Sequence, residues 1–538
     1  MNPYLDFFMA ILPLVILIWM MTKKNSVPSN VALPLTALIV YVLRLVYFAS
    51  PPNLMNATLV KGALEALTPI TIIWGAILLF KTMDLSGQQA VVNRWLNQVS
   101  GNRVAQLMII GWAFAFMIEG ASGFGTPAAI AAPILVGLGF EALPVAMLAL
   151  VMNSVPVSFG AVGTPTWYGF GQLNLDADML LVIGQKTALI HAAAALVVPV
   201  MALRFVVGWR EIRANLVFVY LSILSCMAPY VLLAMVNNEF PSLVGGAIGF
   251  AVSIALARKN VGLQRSERGP GAREGAEPVE AGALIRALSP FMGLIAILVV
   301  TRIPALPFRG WMGAIQPAWS IELGSFAFFS VSAGLVLNLT EIFGTNATWT
   351  YKALTVPALI PFFLIYLLCI PILGIPRKVA REIWSESAGR MPKTVVTLVG
   401  ALIMVQLMMV GGARSLTTMI GRTFAEVAGA YWQYFAAFLG ALGSFFSGSC
   451  TVSNLTFGGI QEAIAGSVGL DKGLILAMQS VGGAMGNMVC INNIVAVCMI
   501  LGIYNQEGAI IKKTVVPMLV YGIIAALMSL VLPLVFGV

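Results

Sequence analysis

The sequence predicts an all-α polytopic membrane protein, and three observations carry that expectation. The chain of 538 residues is 59% hydrophobic and 9% charged, with a mean hydropathy of +0.94, whereas soluble domains carry about 25% charged residues. Apolar runs of span length or near it recur from end to end, among them 7–21, 70–80, 188–203 and 516–538; a helix needs roughly 20 apolar residues to cross the hydrocarbon core. Two apolar regions, 104–175 and 431–503, are interrupted by Gly, Ser, Thr, Asn and Pro in a matching order.

The first span, 3–21, has no basic segment before its apolar run and no small-residue cleavage site after it, so it reads as a span and not a secretory signal. Further spans are expected at 31–48, 60–80, 178–203, 216–236, 241–257, 284–301, 321–338, 353–375, 394–412 and 514–537. The stretch 258–282 is rich in Arg, Glu, Gly and Pro and cannot bury enough apolar surface to fold alone, so it is expected to be a flexible charged loop. The organisation is then a first half over 1–213, connecting spans over 214–320, and a second half over 321–538.

Basic residues set the expected orientation. Lys23 and Lys24, then Lys81, Arg94 and Arg103, then Arg204, Arg210 and Arg213, and finally Lys512 and Lys513 all fall on the cytoplasmic side if the N-terminus is periplasmic. The group Arg377, Lys378, Arg381, Arg390 and Lys393 breaks the parity, and a membrane-dipping piece between 282 and 320 would repair it.

The first interrupted region reads as a re-entrant hairpin over 104–139 followed by a broken helix over 141–175. Its arms, 104–118 and 128–138, would rise about 22 Å and about 16 Å as helices, too short to cross separately. Between them stands E-G-A-S-G-F-G-T-P, 119–127. The second region repeats the plan, with a hairpin over 431–469, a tip S-G-S-C-T-V-S-N at 447–454, and a broken helix over 470–503. A shift of 327 places Gly120 on Ser447, Ser122 on Ser449, Thr126 on Ser453 and Gly160 on Asn487, and the amphipathic stretch 81–98 has its counterpart at 414–427. Paired interruptions in the two halves of a membrane chain point to a secondary carrier's binding site. A broken helix leaves N–H groups that lipid cannot satisfy, so the break must be buried in protein or face water. Converging helix N-termini favour an anion. Close packing by small residues explains single glycines, but not two matched regions.

Other chemistries find little support. The net charge of +9 is scattered over short loops without a basic face, which argues against nucleic acid. Five cysteines without a CxxC pair and one histidine give neither a disulfide frame nor a metal centre. No Walker A run, HExxH or Ser–His arrangement appears. An intramembrane enzyme, an ATP-driven pump and a channel are therefore the weaker readings, and no cofactor is expected.

The runs E-G-A-S-G-F-G-T-P-A-A-I-A-A-P-I-L-V-G-L-G-F (119–140), S-F-G-A-V-G-T-P-T-W (158–167), S-G-S-C-T-V-S-N (447–454) and A-M-G-N-M-V-C-I-N-N-I-V-A-V-C (484–498) resemble the L-lactate permease family, and the likeness extends over nearly the whole chain. Cys450 and Cys490 depart from the more polar residues that the resemblance leads one to expect. It implies a secondary transporter that takes up lactate, and often glycolate, with a proton across a bacterial inner membrane. It also implies an inverted repeat, two re-entrant hairpins and an elevator motion against a scaffold of outer spans. Expected partners are a small carboxylate and the bilayer, with a homodimer as the expected assembly. Na⁺ coupling or another organic anion remains the alternative.

Glu119 is the expected proton carrier, because an ionised carboxyl at mid-membrane is costly and such residues are functional by default. His191 is a second proton-coupling candidate, and Lys186 a counter-charge for the substrate. Expected substrate contacts are Ser122, Gly123, Thr126, Ser449, Thr451, Ser453 and Asn454 at the tips, with Gly160, Gly163, Thr164, Asn487, Asn492 and Asn493 at the breaks. Each Ser, Thr or Asn could instead cap a helix.

Overall fold

Apolar residues in this chain mostly lie in runs too long for strands, and helix is the result. The computed structural model describes residues 3–23, 27–123, 126–264, 279–302, 306–356, 359–503 and 506–536. Among the described residues, nine helices are long and apolar enough to cross a membrane. Most of the expected charged loop falls on 265–278, outside the described residues. The chain forms two compact units, one of residues 1–88 with 286–424, the other of 89–285 with 425–538.

In the first unit the expected spans appear as Pro3–Thr22, Ser29–Val46, a pair Pro52–Glu65 and Leu67–Leu85 joined at Ala66, and Met391–Met409. The expected span 321–338 does not exist. The chain there forms an antiparallel sheet of β1 (Pro317–Glu322), β2 (Phe328–Ser332), β3 (Val336–Thr340) and β4 (Trp349–Lys352), in the order β1-β2-β3-β4. Ser330 pairs with Asn338 across the β2–β3 hairpin. A hydropathy window averages straight through the turn at Ala333 and Gly334 and so reports a span. The aromatic and β-branched residues on either side of that turn are what strands favour. The strict all-α expectation is corrected accordingly.

The second unit holds both interrupted regions. The first arm begins at Arg103, runs through a π-helical stretch Leu107–Phe114, and ends as α1 (Ala115–Ser122). That makes 20 helical residues, a rise of about 30 Å, so this arm is longer than the sequence indicated and could cross by length alone. The return arm α2 (Thr126–Gly137) has 12 residues and rises about 18 Å. Then come α3 (Ala142–Met152), a 3-10 turn Val155–Phe159 and α4 (Gly160–Trp167), and the piece Val155–Leu173 is bent by 44° from α3. Ala161, Val162 and Gly163 at the start of α4 are left-handed, with φ of 44°, 56° and 72°. For alanine and β-branched valine this conformation costs on the order of 1–3 kcal/mol each and persists only where surrounding packing dictates it. Next is α5 (Ala177–Ala195).

The second region repeats the sequence of elements. It comprises α6 (Trp432–Ser447), α7 (Cys450–Val468), α8 (Lys472–Gly486), a 3-10 turn Asn487–Val489 and α9 (Ile491–Leu501), and α10 (Glu507–Phe536) closes the chain. The return arms start at 126 and 450 and the following helices at 142 and 472, so the offset drifts from 324 to 330 and no single shift of 327 holds. Small residues seat both first arms. A Cβ on Gly120 would enter the backbone of Leu243, and one on Gly486 the backbone of Ala441. At these glycines, close helix packing is the reason for the residue.

Candidate functional site

Each of the four interruptions supplies part of one narrow pocket in the second unit, with a cavity volume of about 20 Å³. Glu119 and Gly123 come from the first tip; Val157, Gly160, Ala161 and Pro165 from the first break; Gly448, Ser449, Cys450 and Thr451 from the second tip; and Asn487 from the second break. None of these lining residues is Lys, Arg or His.

Glu119 is 2% exposed. Asn153, the residue where α3 ends, donates from Nδ2 to Glu119 Oε2 at 3.0 Å. The other carboxyl oxygen, Oε1, lies against Gly160, where a Cβ would collide with it. Asn153 Oδ1 is buried without a hydrogen-bond partner.

Opposite stands the start of α7. Ser449 caps it, accepting from Val452 N–H at 3.3 Å. The N–H groups of Cys450 and Thr451, in the first turn, have no carbonyl one turn back. They present partial positive charge where the pocket is lined by the same residues. Asn493 donates through Nδ2 to Asn487 Oδ1, which orients the Asn487 amide.

The remaining candidates are turned toward protein. Ser122 donates to Ile118 O at 2.9 Å, Thr164 to Ala161 O at 2.5 Å and Ser453 to Gly440 O at 2.7 Å. Asn454 donates to Pro165 O at 2.9 Å, tying the second tip to the first break. Gly163 is left-handed, and a Cβ there would enter Asn238 O, so its glycine serves the backbone path. The side chains of Thr126 and Asn492 lie outside the described residues.

His191 is absent from the lining. Its Nε2 meets Ser158 Oγ at 2.8 Å and its Nδ1 meets the Tyr521 hydroxyl. Ser480 Oγ donates to Ser158 Oγ at 2.9 Å, and Ser158 Oγ donates to Ser480 O at 3.1 Å. With both serine protons spent in this way, Nε2–H donates to Ser158 and Nδ1 accepts from Tyr521. The neutral ring is satisfied on both sides and holds the first break against α8 and α10. In this geometry His191 braces the first break and does not line the pocket.

Lys186 on α5 is buried and pairs with Asp471 Oδ2, while Asp471 Oδ1 caps α8 by accepting from Leu474 N–H at 3.2 Å. It therefore serves as a strut between α5 and α8 and is not aimed at the pocket as a counter-charge. Breaking a buried pair costs about 3–5 kcal/mol. Lys186→Met is expected to lower thermal stability in detergent, and adding Asp471→Asn should restore much of the loss, because asparagine still caps the helix. Equal stability of Lys186→Met and the parent would remove the strut.

Sequence reasoning missed Asn153, Val157 and Cys450. A signal existed for Asn153, a lone amide at the end of the apolar run 142–152. Cys450 stood out only as an apolar departure inside the tip 447–454, and nothing distinguishes Val157 from a core residue.

A family model described as L-lactate permease matches residues 6–536. A Haemophilus influenzae protein provisionally named an L-lactate permease is 54% identical over 98% of this chain and 98% of its own. The Bacillus subtilis L-lactate permease is 26% identical over 96% of this chain and 93% of its own. The Escherichia coli glycolate permease GlcA is 25% identical over 94% and 92%.

Proposed function

The chain belongs to the L-lactate permease family, and on that premise we propose that it moves L-lactate and other small 2-hydroxy monocarboxylates, D-lactate and glycolate among them, together with a proton. Family membership makes it a multi-pass membrane transporter for lactate and not an enzyme. The relative named for glycolate supports the wider substrate range.

One observation carries the proton-coupled reading: a carboxyl group and a helix N-terminus face the same pocket, with no cation among the described lining residues. A substrate carboxylate docks at the N–H groups of Cys450 and Thr451, the Ser449 hydroxyl and the Asn487 amide, which suits an anion. Two carboxylates in so small a space repel strongly at the low effective dielectric of a buried site. Glu119 therefore takes up a proton when the substrate enters, and the loaded pocket keeps the single negative charge of the empty one. Asn153 suits both protonation states: its amide N–H donates to the ionised carboxyl, and its carbonyl, turned by an amide flip, accepts from the protonated one.

The short return arm α2 supports reading the first tip as re-entrant, and the matching order of elements supports an inverted repeat of 1–213 and 321–538. All lining residues belong to the unit of 89–285 with 425–538, which supports an elevator motion that carries the pocket whole. Removing 321–338 from the span count puts the group at 377–393 on the same side as Lys23, which supports a periplasmic N-terminus in a bacterial inner membrane.

The test is uptake into proteoliposomes under an imposed pH gradient, with and without Na⁺, comparing L-lactate, D-lactate, glycolate and acetate. Uptake driven by Na⁺ and indifferent to the pH gradient overturns proton coupling. Ser449→Ala and Asn487→Ala are each expected to raise the apparent KM for lactate about tenfold, the scale of one lost hydrogen bond to a charged group. Unchanged KM in both removes the second tip and second break from the site.

A further inference from the structure

The pocket has two chemically distinct sides. Glu119, Ser449, Thr451 and Asn487 form the polar side. Val157 and Cys450 also line the pocket, and with Ala484 they form one buried hydrophobic cluster. The Cys450 thiol has no polarity left for a ligand: Sγ–H donates to Ser480 O at 3.4 Å, and Asn454 Nδ2 approaches Sγ at 3.7 Å. It is already packed against α8, with Sγ in the space that a Cβ on Gly483 would need, 2.7 Å from that position. Val157 sits in the 3-10 turn of the first break, between Pro156, whose carbonyl accepts from Ser242 Oγ at 2.6 Å, and Ser158, held by His191. Both wall residues are thus fixed from behind.

We propose that Val157 and Cys450 are the specificity wall of the carrier, a dry corner that receives the substituent on C2 of the 2-hydroxy acid and sets its upper size. This inference rests on the carrier reading above. With the carboxylate at the start of α7, the 2-hydroxyl reaches the polar side and the remaining substituent is left for the apolar corner. Hydrogen in glycolate makes the least demand on the corner, methyl in lactate a larger one, and ethyl in 2-hydroxybutyrate the largest. A methylene in an apolar pocket discriminates by about 10- to 200-fold, so the wall ranks these acids without touching the carboxylate.

The experiment is competition against counterflow of labelled lactate in proteoliposomes, using glycolate, L-lactate and L-2-hydroxybutyrate as probes. Val157→Ala is expected to improve 2-hydroxybutyrate about tenfold relative to lactate. Val157→Ile is expected to weaken lactate about tenfold relative to glycolate. Cys450→Ala provides a second enlargement should Val157→Ala fail to fold, with folding checked by size-exclusion elution. Folded variants that keep the parent ranking, or that lose all three acids in equal proportion, overturn the wall while leaving the carrier intact. Failure of the parent protein to exchange any of the three acids overturns the carrier reading itself.

Discussion

Glu119→Gln abolishes accumulation of lactate against its gradient while leaving exchange down the gradient measurable. The glutamine side chain has the same shape, and its carbonyl still accepts from Asn153 Nδ2, the bond now made at 3.0 Å to Glu119 Oε2. What disappears is the ability to gain and lose a proton. A permanently neutral residue removes the repulsion that an ionised Glu119 exerts on a docked carboxylate, so lactate still binds and counterflow continues. The pH gradient loses its grip because no proton travels with the anion. One pH unit corresponds to about 1.36 kcal/mol, enough for roughly tenfold accumulation by a carrier that moves one proton per lactate. The parent should approach that ratio in tight vesicles and the variant should stay near unity. Asn153→Leu provides a graded companion: it strips the carboxyl of its amide partner, so uptake should slow while accumulation persists. Accumulation by Glu119→Gln at the parental ratio excludes Glu119 from coupling, whatever its place in the pocket.

That prediction could be framed from sequence alone, because an acid followed by Gly120 and Gly123 in an apolar run is visible without coordinates. The helices were legible for the same reason: membrane spans are long, and hydropathy averages well over them. The sheet at 317–352 was not, since Phe328–Ser332 and Val336–Thr340 are apolar enough to mimic one span when averaged across the Ala333–Gly334 turn. Within the site, residue type located the interruptions but not the direction of each side chain. Ser449, Ser453 and Asn454 look equivalent in the string S-C-T-V-S-N. Only Ser449 and its neighbours reach the pocket, because one helical turn later Ser453 faces α6 and Asn454 faces Pro165. His191 and Lys186 drew attention as rare polar residues in an apolar helix, and their partners, Tyr521 and Asp471, lie 330 and 285 residues away in the chain. Sequence spacing says nothing about pairs so distant, so the partners of the ring and of the ammonium group were not legible in the sequence.

Gly160→Ala is the second large effect, and the backbone does not cause it. Gly160 has φ −65° and ψ 160°, a conformation open to alanine, so the substitution tests space alone. The added methyl would run into Glu119 Oε1 and lie 3.1 Å from Glu119 Cδ. Break and carboxyl cannot both stay where they are. The carboxyl must move off Asn153 or into the space that the substrate takes. A shift of about 1 Å in a positioned group can cost about 100-fold in rate, and a loss of that size in kcat/KM for lactate is expected, with normal expression and elution. Glu119→Asp in the same chain withdraws the carboxyl by one methylene and makes room for the methyl. The double variant should therefore recover more activity than the two single losses combined predict, a coupling characteristic of residues in contact. Gly163→Ala is the contrast. Its φ of 72° and the Asn238 carbonyl at the site of the new Cβ penalise the fold itself, so that variant should fail at expression and no change at Glu119 should rescue it. Parental transport by Gly160→Ala would show that the first break and the carboxyl do not share the space in which lactate is carried.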